Sequence, residues 1–370
     1  MTNPARQSEG FEFVNLLRGA AALLVLYFHL YIFIFHQDAN GKILPGTFGY
    51  LFVIGAIDLG KFAVGLFFII SGFLIPATLT RASSTLRDFV IHRMFRLYPA
   101  YWVSIIVFVA AALLFDHSIA IPTSVVLINL TMLQRFVGIY DLILPYWTLQ
   151  IELIFYFLCA LLFVLHKLER RRQILWLTLS AGLLCAVLRR RYHLNVPVGI
   201  PASLALMFLG DSIRAFSKKL ISQTELITST LLVAITLIPI CLIGYVDDGK
   251  RNLLSYWIAI AVFLVSYRFA SLFRNVRPIR IIGLFLGDCS YSIYLLQYPI
   301  GLRLAAYLFR TTQSQLITAA GAFGSTIACA YIVYRLIEAP GIRLGRKLTP
   351  QNRQPTPLLA VANPAVIPLP

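Results

Sequence analysis

The sequence predicts an all-α, polytopic transmembrane helix bundle of about ten spans with both termini cytoplasmic, and three observations predict it. The first is the apolar load. Of 370 residues, 59% are hydrophobic and 13% charged, where a soluble domain is nearer half and a quarter, and the mean hydropathy is +0.80. The second is segmentation: apolar runs long enough to cross a hydrocarbon core of about 30 Å as helices recur from end to end. The third is charge placement, because basic residues gather in every second connection, as cytoplasmic loops require.

Taken in order, the spans are predicted near 15–36, 56–79, 97–115, 146–166, 174–189, 197–216, 225–246, 252–272, 281–308 and 314–338. The first follows a polar leader and has full spanning length, unlike the short apolar region of a cleavable signal. The second exits into Arg81, Arg87, Arg93 and Arg96, and Pro99 suits the first turn of the third. Residues 123–134 are apolar but too short to cross. A crossing there would put the "KLERRR" connection outside, so they are placed as a re-entrant or interfacial segment on the outer side. Lys167, Arg170, Arg171 and Arg172 follow the fourth span, and Lys218 and Lys219 the sixth. Arg274, Arg277 and Arg280 follow the eighth, and Arg343, Arg346 and Lys347 the tenth. One stretch resists: "RRRYH" at 189–193 falls on the outer side by parity. The domain is predicted over residues 1–348, with 349–370 a disordered, Pro-rich cytoplasmic tail.

The net charge of +17 is read as topology and contact with membrane lipids, with no nucleic acid as partner, since the Lys and Arg lie in short loops between apolar runs. Cys159, Cys185, Cys241, Cys289 and Cys329 all fall inside apolar runs without paired spacing. They read as small buried hydrophobes, so neither a disulfide nor a metal site is expected.

Ionisable groups at bilayer depth carry the functional signal. Arg18 and His29 are separated by 11 residues, which puts them within about 20° of one helix face and about 16 Å apart along the axis. The pair is expected to line one cavity at two depths. A snorkelling arginine and a hydrogen-bonded core histidine are the plainer readings. Glu152, inside the fourth span, must be paired or protonated, with Arg18 or His29 as candidate partners. Asp211 and Asp288 read as structural hydrogen-bonding groups. Arg93 and Arg96 share a helical face and suit bidentate phosphate contacts, although spacing alone favours an ordinary positive-inside cluster.

Six stretches in order carry more than any one of them: "LRGAAALLVLYFHL" at 17–30, "VGLFFIISGFLI" at 64–75, "RMFRLYPAYW" at 93–102, "YWTLQIELIFYF" at 146–157, "GDCSYSIYLLQYPI" at 287–300 and "IEAP" at 337–340. Together they resemble the acyltransferase 3 family of integral-membrane acyltransferases. The resemblance implies a multi-pass protein of the bacterial cell inner membrane. It would move an acyl group, usually acetyl, from cytoplasmic acyl-CoA (acetyl-CoA) to a hydroxyl of a carbohydrate acceptor such as lipopolysaccharide or exopolysaccharide. It implies catalytic roles for Arg18, His29 and Glu152. Arg93, Arg96, Tyr98 and Trp102 are then expected to bind the donor, and Ser71 and Trp147 the substrate. One departure is visible. Gln297 stands where relatives often have His, and Gln cannot take a proton. The opposing class, a small-molecule transporter, predicts Gly- or Pro-broken spans in matched halves, and the sequence shows none.

Overall fold

The computed structural model describes residues 12–35, 53, 55–80, 85–115, 121–245 and 248–349; the tail expected after 349 lies outside them. Fifteen α-helices follow in order: α1 Glu12–Phe35, α2 Leu59–Leu74, α3 Pro76–Leu79, α4 Leu86–Phe115, α5 Thr123–Asn129, α6 Tyr146–Val164, α7 Arg171–Tyr192, α8 Gly199–Ser217, α9 Gln223–Gly244, α10 Gly249–Arg268, α11 Ala270–Asn275, α12 Arg277–Leu296, α13 Arg303–Thr312, α14 Gln315–Val333 and α15 Ala339–Leu348. Two π-helical segments, Gln297–Leu302 and Tyr334–Glu338, join α12 to α13 and α14 to α15. There is no strand among the described residues.

Eight helical stretches among the described residues are long and apolar enough to cross a membrane, with α2 and α3, α12 and α13, and α14 and α15 each forming one stretch. The two predicted spans outside that set are α8 and α10. Their polar content has a physical reason. Residues 201–215 of α8 are buried without a break, so Ser203, Asp211, Ser212 and Arg214 face other helices and never lipid. Hydropathy measures what a helix shows to lipid, and α8 shows little.

Close backbone approach sets the packing. A Cβ on Gly72 of α2 would stand 1.7 Å from the Met207 carbonyl oxygen, and one on Gly210 of α8 would stand 2.1 Å from that of Ile69. The two helices therefore touch backbone to backbone. Along α1, Leu16 meets Gly283 and Gly19 meets Leu286 and Gly287, so α1 and α12 run parallel. Along α15, Gly341 meets Phe95 and Pro99 while Gly345 meets Phe95 and Ile91, so α15 runs antiparallel on α4.

Three sequence expectations are corrected or explained. Helix α4 starts at Leu86, well before the predicted 97, because the RxxR stretch continues the same helix; Pro99 lies in its interior. Residues 123–134 form the short α5 and a turn whose carbonyls are gripped by α4. Tyr101 donates to Asn129 O (2.7 Å), Trp102 to Leu130 O (3.0 Å) and Tyr98 to Thr131 O (2.9 Å). Irregular backbone is tolerated inside a bundle when its polar groups are met in this way. The outlier at 189–193 also gains a local reason. Arg189, Arg190 and Arg191 form the last turn of α7, capped by His193 in the left-handed region, where cations complement the helix dipole.

Candidate active site

The starts of α1, α4, α12 and the end of α15 surround one deep cavity at the Arg-rich end of the bundle. Its volume is about 1340 Å³, and it is lined by eight arginines and four carboxylates. Four of the side chains singled out in the sequence reach it together: Arg18 of α1, Arg93 and Arg96 of α4, and Glu152 of α6, with Ser71 of α2 beside them.

The local fold explains the convergence. Helix α6 begins beside the middle of α4, where Tyr146 and Ser104 share a hydrogen bond of 2.7 Å and the Tyr101 and Tyr146 rings lie 4.6 Å apart. That start carries Glu152 down to the cavity about two turns later. There its Oε1 accepts from the Tyr156 hydroxyl at 2.5 Å and from Ser71 Oγ at 3.5 Å. Arg93 donates to Thr78 Oγ1 (3.3 Å), and its guanidinium carbon sits 5.5 Å from the Phe89 ring and 5.3 Å from the Tyr156 ring. Stacking of that kind holds a guanidinium flat and leaves its edge free for an anion. Arg18 donates to Ser290 Oγ at 3.1 Å, and Ser290 passes its own proton to Gly287 O at 2.8 Å.

Towards the centre of the bundle the cavity ends at Val64, Phe67, Thr148 and Tyr294. The Phe67 and Tyr294 rings meet edge to face, 5.8 Å apart, and the Tyr294 hydroxyl is fixed to Thr148 (2.6 Å) and Pro145 O (2.9 Å). His29 is not among the lining residues. It sits between the Phe28 and Tyr298 rings. The cavity that Arg18 lines is thus not lined by His29, where one cavity was expected for both. Gln297 meets the imidazole: it donates from Nε2 to Tyr294 O at 2.9 Å, and its Oε1 faces His29 Nδ1 at 3.0 Å. An amide oxygen only accepts, so Nδ1 carries the proton and Nε2 keeps the lone pair.

A family model described as an acyltransferase domain matches residues 11–335, nearly the whole chain. The chain belongs to the acyltransferase 3 family. It is therefore a membrane acyltransferase. No curated protein and no solved structure matches it. Within this acyltransferase the remaining predicted site residues sit apart from the cavity. Tyr98 and Trp102 engage the carbonyls after α5, as described above, and neither lines the cavity. Trp147 lies under Lys61, whose Nζ is 4.8 Å from the indole centroid.

Other cavity residues escaped the sequence reading. Glu338, 2% exposed, accepts from Ser292 Oγ at 2.7 Å and lines the cavity. The "IEAP" stretch signalled it, and so did the π-helical segment that presents it, a feature common at functional sites. Asp288, read as structural, lines the cavity as well. Asp211 does not; it is paired with Arg171 (Nε to Oδ2, 2.9 Å).

Proposed function

We propose that this acyltransferase takes an acyl group, acetyl in the first instance, from cytoplasmic acyl-CoA and delivers it to a hydroxyl of a cell-envelope or exported carbohydrate, working from the inner membrane of a bacterium. One observation carries the reading: a cavity lined by arginines at the end of the bundle that charge placement assigns to the cytoplasm. A donor bearing several phosphates cannot cross lipid and needs such a cavity.

In this reading Arg93 and Arg96 hold donor phosphates and the pantetheine arm runs inward past Arg18 and Glu152. The acceptor hydroxyl approaches from the opposite end. His29 Nε2 removes its proton, the oxygen forms the ester bond to the thioester carbonyl, and the carbon–sulfur bond breaks to release the thiolate, which takes up a proton as the CoA thiol. Arg18 and Glu152 position the donor on its way inward. Transfer through an acyl-histidine uses the same nitrogen in two steps. Both routes require the thioester to travel from the cavity past Phe67 and Tyr294 towards His29, so that pair is assigned the gate. The test is binding of acetyl-CoA to the purified full-length protein, followed by acyl transfer by wild type and His29→Ala. Binding with transfer lost in the variant supports the reading; no binding of acetyl-CoA, or full transfer by the variant, removes it.

A further inference from the structure

The cavity holds a second pair of arginines at the spacing of Arg93 and Arg96. Arg343 and Arg346 stand three apart in "RLGR" on α15, share a helical face, and both line the cavity. In the sequence they pass for loop charge. The structure gives them a frame. Gly341 and Gly345 let α15 lie against α4, with Phe95 touching both glycines and Ile91 touching Gly345. In that antiparallel register Arg343 is level with Arg96 and Arg346 with Arg93, so the two pairs stand side by side across the cavity. Both are exposed, whereas Arg93 and Arg96 are half-buried. Among the described residues neither Arg343 nor Arg346 has a carboxylate within ion-pair range. Lys347, next in sequence, does not line the cavity.

The cavity therefore holds two arginine pairs at one level, Arg343 with Arg346 on the exposed side and Arg93 with Arg96 half-buried, and Arg18 near Glu152 on another wall. Coenzyme A has its own order, a 3′-phosphomonoester on the ribose, a diphosphate, and the pantetheine arm ending in the thioester. With the thioester leading inward, the diphosphate falls to the half-buried pair and the ribose phosphate, at the donor's outer end, to the exposed pair beside it. We propose that Arg343 and Arg346 form a separate subsite for the 3′-phosphate of the donor. This deepens the reading of the cavity as an acyl-CoA site and rests on it. A phosphomonoester carries close to two charges at neutral pH and three acceptor oxygens, which two guanidinium forks can meet.

The experiment measures binding of acetyl-CoA and of its 3′-dephospho analogue to the full chain in lipid nanodiscs. Wild type is expected to bind acetyl-CoA about tenfold more tightly than the analogue. In Arg343→Gln/Arg346→Gln that preference disappears: acetyl-CoA falls to the analogue's affinity and the analogue's own affinity is unchanged. Arg343→Lys/Arg346→Lys preserves the charge that sets topology, removes the forks, and is expected to keep a reduced preference. Lys347→Gln is expected to keep all of it. The subsite is overturned if wild type shows no preference, if the Gln pair weakens both ligands equally, or if the preference survives the Gln pair. Should wild type bind neither ligand, the donor reading fails and the subsite with it, an outcome distinct from binding both ligands alike.

Discussion

Gln297 holds His29 in one tautomer. Its Nε2 is committed to Tyr294 O, so its Oε1 faces His29 Nδ1 at 3.0 Å and can only accept. Gln297 thus orients His29 through the one atom it has left to offer. Gln297→Leu is expected to lower kcat about tenfold or more while leaving KM for acyl-CoA unchanged, whereas His29→Ala, which removes the proposed general base, is expected to lower kcat by about 10²–10⁴. Steady-state kinetics on both variants checks this; a Gln297→Leu enzyme with wild-type kcat contradicts it.

Arg93 is held by Thr78 and by two rings, and it shares the cavity with Arg96. Arg93→Ala with Arg96→Ala is expected to raise KM for acyl-CoA by about two orders of magnitude, from the loss of two charge-assisted contacts. An unchanged KM returns both residues to a purely topological role.

The Arg171–Asp211 pair tests what a charge inside this bundle is for. The side chains are 11% and 4% exposed. Asp211→Ala leaves a buried guanidinium without its partner and is expected to cost about 3–5 kcal/mol. Arg171→Met with Asp211→Leu removes both charges and is expected to restore most of that stability. Thermal unfolding in detergent reads both, and a double variant no better than the single one contradicts a structural role for the pair.

Helix contact can be tested with three glycines. Gly72→Ala and Gly210→Ala each drive a methyl into the facing backbone, so α2 and α8 must part and little folded protein is expected. Gly324→Ala meets nothing within 4 Å; in the interior of α14 it is expected to add about 0.5–1 kcal/mol. Yield and melting temperature by size-exclusion chromatography compare all three.

Much of this was legible in the sequence. Among the described residues, length and apolar runs locate ten long helices at the predicted places, eight of them in stretches long and apolar enough to cross a bilayer. Spacing placed Arg93 with Arg96, and the cost of a lone carboxylate marked Glu152. What the helical wheel cannot show is which neighbours intrude. It put Arg18 and His29 on one face at the right separation, but the neighbours the imidazole meets, Tyr298 and Gln297, come from a helix distant in sequence, and His29 does not line the cavity that Arg18 lines. Glu338 was hidden for the same reason: its partner Ser292 belongs to another helix. Arg343 and Arg346 were hidden by a rule that worked, since charge placement had already accounted for them.

The short helix α6 has a further consequence. Because it begins beside Ser104 and not level with the end of α4, the space above its first turn belongs to residues 121–145. That segment is largely self-supporting: Asn129 bonds Val125 O, Tyr140 O and Leu142 N, while Asp141 takes Gln134 and Arg135. It is seated on α4 by three aromatic side chains and tied to α6 and α12 as well, since Gln150 donates to Met132 O and the Tyr294 hydroxyl to Pro145 O. A substitution in this segment is therefore transmitted to the start of the helix that carries Glu152.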